Sequence, residues 1–258
     1  MYEQIAEYYD LTHANLTVDI PLVLQLAAQA GGSVLELGCG SGRLLLPLAK
    51  AGHTVTGVDN SPAMLARAQA RLALEPPTVA QRVTLVTGDM TALDGTLPEG
   101  NGRFALIIVP YNTLMHLTEG DVRKMLRQVK GLLAGNGRLF IDLANPFVLA
   151  ATPGDQLLSL ENSLIDPQTG DVIVHMASNR LDEKAQTLQI TWIYDRSPAA
   201  GGSVHRTVAW GAYHYYFPHQ VELLLKQAGL WMTQLWGSYG REPFEEDSER
   251  LLVTAVKT

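Results

Sequence analysis

Apolar residues along this chain keep two different rhythms, and the change comes near residue 150. Before it, short continuous apolar runs alternate with stretches of helical spacing. Residues 34–37, 55–58, 83–86, 104–109 and 138–143 read as buried strands. A helix over 19–30 starts with Asp19 as its cap and Pro21 in its first turn, and stops at Gly31-Gly32. Residues 44–50 form a second helix. Ser61-Pro62 opens a third, with Met64, Leu65, Ala68 and Leu72 on its buried stripe and Pro76-Pro77 as its stop. Residues 121–133 form a fourth, ended by Gly135-Asn136-Gly137. This alternation predicts the α/β class: a doubly wound, mostly parallel seven-stranded sheet with helices on both faces.

After residue 150 the helical period disappears. Residues 156–161, 172–181, 187–194 and 203–216 alternate apolar with polar, separated by Asp166-Pro167, Asp182-Glu183-Lys184 and the turn that starts at Ser197-Pro198. That predicts an antiparallel meander. Pro218 then opens a helix to Ala228, and residues 230–236 and 251–256 close the chain as two strands. The expected organisation is one sheet domain from 1–150 and 217–258, with an antiparallel β insert at 151–216 that covers a substrate pocket.

The stretch VLELGCGSGRLLLPLAKAGHTVTGVD, residues 34–59, carries the chemistry. It reads as strand, glycine turn, helix, strand and acidic tip, a βαβ unit with a ligand crevice at its carboxyl edge. Asp59 follows Gly38 by 21 residues, where a carboxylate can accept from ribose hydroxyls. A dinucleotide fold requires Gly-x-Gly-x-x-Gly to seat a pyrophosphate on a helix N-terminus. Here the spacing is Gly38-x-Gly40-x-Gly42, and Glu36 stands two positions before it. An anion there repels a pyrophosphate and suits an ammonium. S-adenosylmethionine (SAM) offers an ammonium, a sulfonium and a ribose, and no phosphate.

The stretch resembles the glycine-rich motif and acidic strand end of class I SAM-dependent methyltransferases of the small-molecule type. In placement and strand character, the insert is similar to those of sugar-amine and glycine N-methyltransferases. The resemblance implies SAM as cofactor and S-adenosylhomocysteine as product. It implies that Gly38, Cys39, Gly40 and Gly42 pass under the methionine and ribose, with Glu36 favouring the ammonium and Asp59 holding the ribose. Cys39 is grouped there by position, and its thiol is read as packing. Asp89 matches the acidic residue that meets adenine, with Met90 packing on the ring. Asn60, Met64 and Val109 complete the cofactor shell. Tyr9 in the aromatic N-terminal arm and Arg43 after the glycine turn are partners for the methionine carboxylate.

The fourth strand ends in VPYNTLMHL, which departs from the Asn-Pro-Pro-Tyr type motif of methyltransferases acting on nucleic-acid or protein amide nitrogens. It resembles the loop of small-molecule enzymes in which a short helix ends in His-Leu. His116 is therefore the candidate catalytic residue, since an imidazole can orient an acceptor or take its proton near neutral pH. Tyr8, Tyr111, Asn112, Tyr213 and Tyr215 are the candidate substrate-binding residues. Tyr213 and Tyr215 are expected to share one face of a strand.

Composition narrows the partners. The formal net charge is −7 with no long Lys/Arg run, which disfavours a nucleic-acid partner. A single cysteine excludes an internal disulfide and a multi-cysteine zinc site, and no metal is expected. No signal peptide or apolar run of membrane-spanning length is visible, so the expectation is a cytoplasmic protein, monomer or homodimer, with a small-molecule methyl acceptor. Methyl transfer to nitrogen or oxygen is the leading reading. The alternatives are an RNA methyltransferase and a non-catalytic protein that holds SAM or S-adenosylhomocysteine. A nicotinamide-dependent oxidoreductase is disfavoured by the glycine spacing and Glu36.

Overall fold

All four side chains of Val34–Leu37 are buried, as a strand at the middle of a covered sheet requires. The computed structural model of the protein describes residues 2–93, 97, 103–152 and 156–257. Helices α1 (Tyr2–Thr12) and α2 (Ile20–Ala30) lead into β1 (Val34–Leu37), α3 (Leu45–Lys50), β2 (Val55–Asp59), α4 (Pro62–Leu72), the single turn α5 (Pro77–Ala80), β3 (Val83–Thr87) and β4 (Phe104–Val109). A 3-10 turn (Thr113–His116), α6 (Glu119–Leu132), β5 (Leu133–Ala144) and α7 (Pro146–Ala150) follow. Then come β6 (Leu158–Ile165), β7 (Val172–Asp182), β8 (Thr187–Ser197) and β9 (His205–His214), before α8 (Pro218–Gln227), β10 (Leu230–Trp236) and β11 (Arg250–Lys257).

Seven strands make one sheet in the order β10-β11-β5-β4-β1-β2-β3. Pairings among β1 to β5 are parallel, and β11 runs antiparallel to both its neighbours. Leu26 of α2 and Leu45 and Leu48 of α3 belong to one buried cluster, and Met125 and Leu126 of α6 and Leu225 of α8 to another. The strand order reverses at β1, and that switch point opens a crevice at the carboxyl ends of the strands. The remaining strands form a second, antiparallel sheet in the order β6-β7-β8-β9. Both the doubly wound sheet and the meander agree with the sequence reading. Ile5 and Tyr8 of α1 pack against Ile173, Tyr194 and Ala209 of this second sheet.

Two local expectations are corrected. Asp19 makes no capping bond, because its backbone is already helical at φ −82° and ψ −24°. Its buried carboxylate instead accepts from Arg43 Nη1 at 2.6 Å and Nη2 at 2.5 Å. Gly135 to Gly137 is not a free turn after α6 but lies inside β5, where the register against β4 shifts between Phe104 and Leu106. A Cβ on Gly137 would come within 2.8 Å of the Phe104 carbonyl oxygen, so glycine permits that close approach.

Candidate active site

The glycine turn after β1 is built by contacts on both sides. Gly38, Gly40 and Gly42 have φ of 72°, 53° and 79°, in the left-handed region that glycine enters at no steric cost. A Cβ on Gly38 would overlap the Thr113 side chain, so the turn packs directly on the 3-10 turn beyond β4. Asp59, at the tip of β2, ties this turn to the next one. Its Oδ2 accepts from the Gly40 amide and its Oδ1 from the Ser61 amide, each at 2.8 Å. Burial raises its pKa above the ordinary carboxylate value, and the amide bonds pull the other way. Ser61 caps α4 by accepting from the Met64 amide at 3.3 Å.

These elements enclose a cavity of about 470 Å³ at the switch point. Gly38, Gly40 and Asp59 line it from the two turns, with Asn60 and Met64 beside them. Asp89 and Met90 line it after β3, and Tyr111, Thr113 and His116 after β4. Helix α1 adds Tyr2, Glu3 and Tyr9. Polar contacts hold this helix to the glycine turn, to α4 and to the second sheet. Asp10 accepts from Arg67 at 2.7 Å and from Ser41 at 2.5 Å, and Glu3 accepts from the Ser61 hydroxyl at 2.6 Å. Toward the second sheet, the Tyr8 ring stacks on Tyr194 at 4.5 Å and its hydroxyl meets Thr207 Oγ1 at 3.2 Å.

His116 ends the 3-10 turn inside an aromatic group. Its Nε2 is 3.0 Å from the Tyr2 hydroxyl and its ring centre 5.0 Å from that of Tyr213. Burial holds its pKa down to about 4, so the imidazole is neutral at physiological pH. Glu36 lies outside the cavity lining, 2% exposed, with Oε2 unbonded. Burial pushes its pKa up to about 8.

Tyr9, Asp59, Asn60, Met64, Asp89, Met90, Tyr111 and His116, with Gly38 and Gly40, are therefore brought together around one cavity. The other sequence-derived residues lie elsewhere. Cys39 is buried against α2 and α3 residues, and Gly42 lies close to Ala68. Val109 is buried in the core of the main sheet. Arg43 is engaged by Asp19 and the Leu16 carbonyl, with its guanidinium 5.9 Å from the Tyr111 ring centre. Tyr8 is fully buried against the insert. Asn112 turns its Oδ1 to Arg250 and the Ala144 amide. Tyr213 backs His116, whereas Tyr215 packs in the main core, because β9 ends at His214 and its two-residue alternation ends there too. Tyr2, Glu3 and Thr113 escaped the sequence reading, although Tyr2 and Glu3 belong to the same aromatic arm as Tyr9. Among the described residues no group of three or more His, Cys, Asp or Glu is arranged to hold a metal, and no helix is long and apolar enough to cross a membrane.

A methyltransferase-domain family model matches residues 34–137. Together with the strand order and the cavity at its switch point, this defines an enzyme with the class I SAM-dependent methyltransferase fold, whose cofactor is SAM. The chain is similar to the cypemycin N-terminal methyltransferase of a Streptomyces species, with 27% identity over 98% of this chain and 96% of that one. It is similar in structure to the CcbJ methyltransferase from Streptomyces caelestis, with 26% identity, a TM-score of 0.76, and coverage of 93% of this chain and 94% of that one. It shares its fold with SAM-bound CalS10, an amino pentose methyltransferase from Micromonospora echinaspora, at 20% identity and a TM-score of 0.67, over 92% of this chain and 89% of that one. The cavity suits a cationic cofactor with a ribose: the main chain of Gly38 and Gly40 lines it, and a carboxylate stands at the β2 tip.

Proposed function

We propose that this enzyme methylates an amine nitrogen of a small molecule. The charge of the cavity carries the reading. Glu3, Asp59, Asp89 and Asp121 line it, and among the described residues no lysine or arginine does. Such a lining attracts a cationic acceptor and repels a phosphorylated or carboxylated one. The tyrosine rings around His116 add faces that favour an ammonium-bearing ligand. A neutral imidazole titrating near pH 4 is too weak a base to strip an aliphatic hydroxyl, but it can accept a hydrogen bond from an amine N–H.

SAM supplies an activated methyl group on a sulfonium sulfur. The chain's own residues bind, align and exclude water. Asp59 holds the ribose, and Asp89 and Met90 hold the adenine. Tyr2 and Tyr9 close the cavity from α1. An acceptor that arrives as an ammonium first loses a proton to water, and its neutral nitrogen then donates its remaining N–H to His116; methyl transfer leaves a positively charged nitrogen, whose proton goes to water. The cypemycin relative, named as an N-terminal methyltransferase, supports nitrogen as the acceptor atom. The reading also takes the protein as cytoplasmic, a monomer or homodimer, with no nucleic-acid substrate.

The test is transfer of radiolabelled methyl from SAM to a matched panel of small primary amines, alcohols and carboxylates. Label in the amines alone is the expected result. Label in the alcohols or carboxylates without the amines overturns the reading.

A further inference from the structure

Two consecutive non-glycine residues leave β4 in the left-handed region, Tyr111 at φ 34° and Asn112 at φ 65°. Residues with a Cβ avoid that region unless the surroundings impose it. A buried polar cluster does so here, and three of its members, Asp142, Tyr239 and Arg250, stand outside the cavity lining. Asp142 of β5 is 1% exposed, a carboxylate in an otherwise apolar strand segment. Its Oδ2 accepts from the Tyr111 amide at 3.2 Å and the Tyr239 hydroxyl at 2.9 Å. Its Oδ1 accepts from Arg250 Nε at 2.9 Å and Nη2 at 2.5 Å. Its main-chain carbonyl accepts from the Asn112 amide at 2.8 Å.

Arg250, the first residue of β11, completes the clamp. Its Nη2 also donates to Asn112 Oδ1 at 2.9 Å, and that oxygen accepts a second bond from the Ala144 amide at 2.7 Å. Its guanidinium lies 5.0 Å from the Tyr111 ring centre. One aspartate and one arginine thus bind both strained residues, through the main chain and through side chains. The next residue, Thr113, packs on Gly38, and His116 follows three positions later. A buried ion pair is a costly way to gain stability, but it can enforce one geometry among several.

We propose that Asp142 and Arg250 are positioning residues for methyl transfer. They lock the Tyr111–Asn112 turn, and through it they set the Tyr111 ring against the cofactor and His116 at the mouth of the acceptor space. The inference rests on the cavity as the cofactor site and not on which atom accepts the methyl.

Paired substitution separates positioning from simple stabilisation. Asp142→Leu combined with Arg250→Met removes both charges and roughly conserves volume. The expected double variant melts within a few degrees of the wild type, yet binds SAM about tenfold more weakly in calorimetric titration. Its His116, followed by NMR with labelled histidine, titrates well above the wild-type value of about 4. Arg250→Lys decides the matter should the double variant fail to fold. A lysine can keep a cation on Asp142 without also reaching Asn112 Oδ1, so a near-normal Tm, about fivefold weaker SAM binding and the same rise at His116 are expected. Wild-type SAM affinity together with an unmoved His116 titration, in either folded variant, overturns the proposal.

Discussion

Asp59→Ala removes two backbone anchors and, on the proposed ribose role, one cofactor contact at once. The two anchors are the Gly40 and Ser61 amides, each 2.8 Å from a carboxylate oxygen. Hydrogen bonds to charged groups contribute about 1.5–3 kcal/mol each. Water can enter this open edge and rehydrate both amides, and the carboxylate's own desolvation offsets part of its contribution, so about 2–3 kcal/mol in total is expected. For a chain of this length that is a fall in Tm of roughly 4–12 °C. The ribose contact is separate. Losing it at about 1.5–3 kcal/mol weakens SAM by roughly 10- to 150-fold. Thermal denaturation without ligand reads the first effect, and calorimetric titration with SAM and S-adenosylhomocysteine reads the second. Asp59→Asn sorts them further: one remaining amide oxygen can hold one backbone amide, so Tm recovers in part while affinity stays low. A wild-type Tm in Asp59→Ala refutes the role of the carboxylate in joining the two turns, and a wild-type SAM affinity removes it from the ribose site.

Three further outcomes are expected. Glu36 keeps its proton up to about pH 8 in the fold, whereas the unfolded chain loses it near 4.5, so this group makes the unliganded protein less stable as pH rises through that window. From outside the cavity lining its ionised form still attracts a bound cation, so SAM affinity should rise between pH 6 and 8 with proton release visible as buffer-dependent heat; a flat profile in the wild type counts against any influence of Glu36 on the ammonium, and Glu36→Gln should abolish the slope. His116→Gln should leave SAM affinity within about twofold while slowing methyl transfer at least tenfold. Because His116 titrates at about 4 when folded and near 6.5 when unfolded, the stability it contributes is complete above pH 6.5 and declines toward pH 4, and His116→Gln should flatten that decline in an acid melt series. Arg43→Met leaves Asp19 buried without its cation, at a cost of about 3 kcal/mol and a Tm drop of roughly 6–12 °C; Asp19→Leu in the same chain should restore most of it, and no restoration would mean that the guanidinium stabilises by packing alone.

What was legible in the sequence is what the chain builds locally. The glycine turn, Asp59 and the Ser61-Pro62 helix start lie within one βαβ segment and its exit, so strand-end rules alone bring them to one crevice. Asp19 shows the limit of that logic. It precedes a helix with a proline in the first turn, the pattern of a cap, and only a guanidinium 24 positions away decides that the carboxylate turns inward instead. The side of the cavity around His116 is assembled almost wholly from such distant meetings. Tyr2 reaches His116 across 114 positions, and Arg250 reaches Asn112 across 138. Arg250 comes near Asp142 only because β11 pairs with β5 in a register that sets Arg250 opposite Ala144. The cofactor side thus sits on consecutive strand ends that the fold class dictates. The proposed acceptor side sits on a strained turn, a 3-10 turn and a helix held by side chains from the glycine turn, α4 and the second sheet, where one substitution can re-aim a residue without altering the fold.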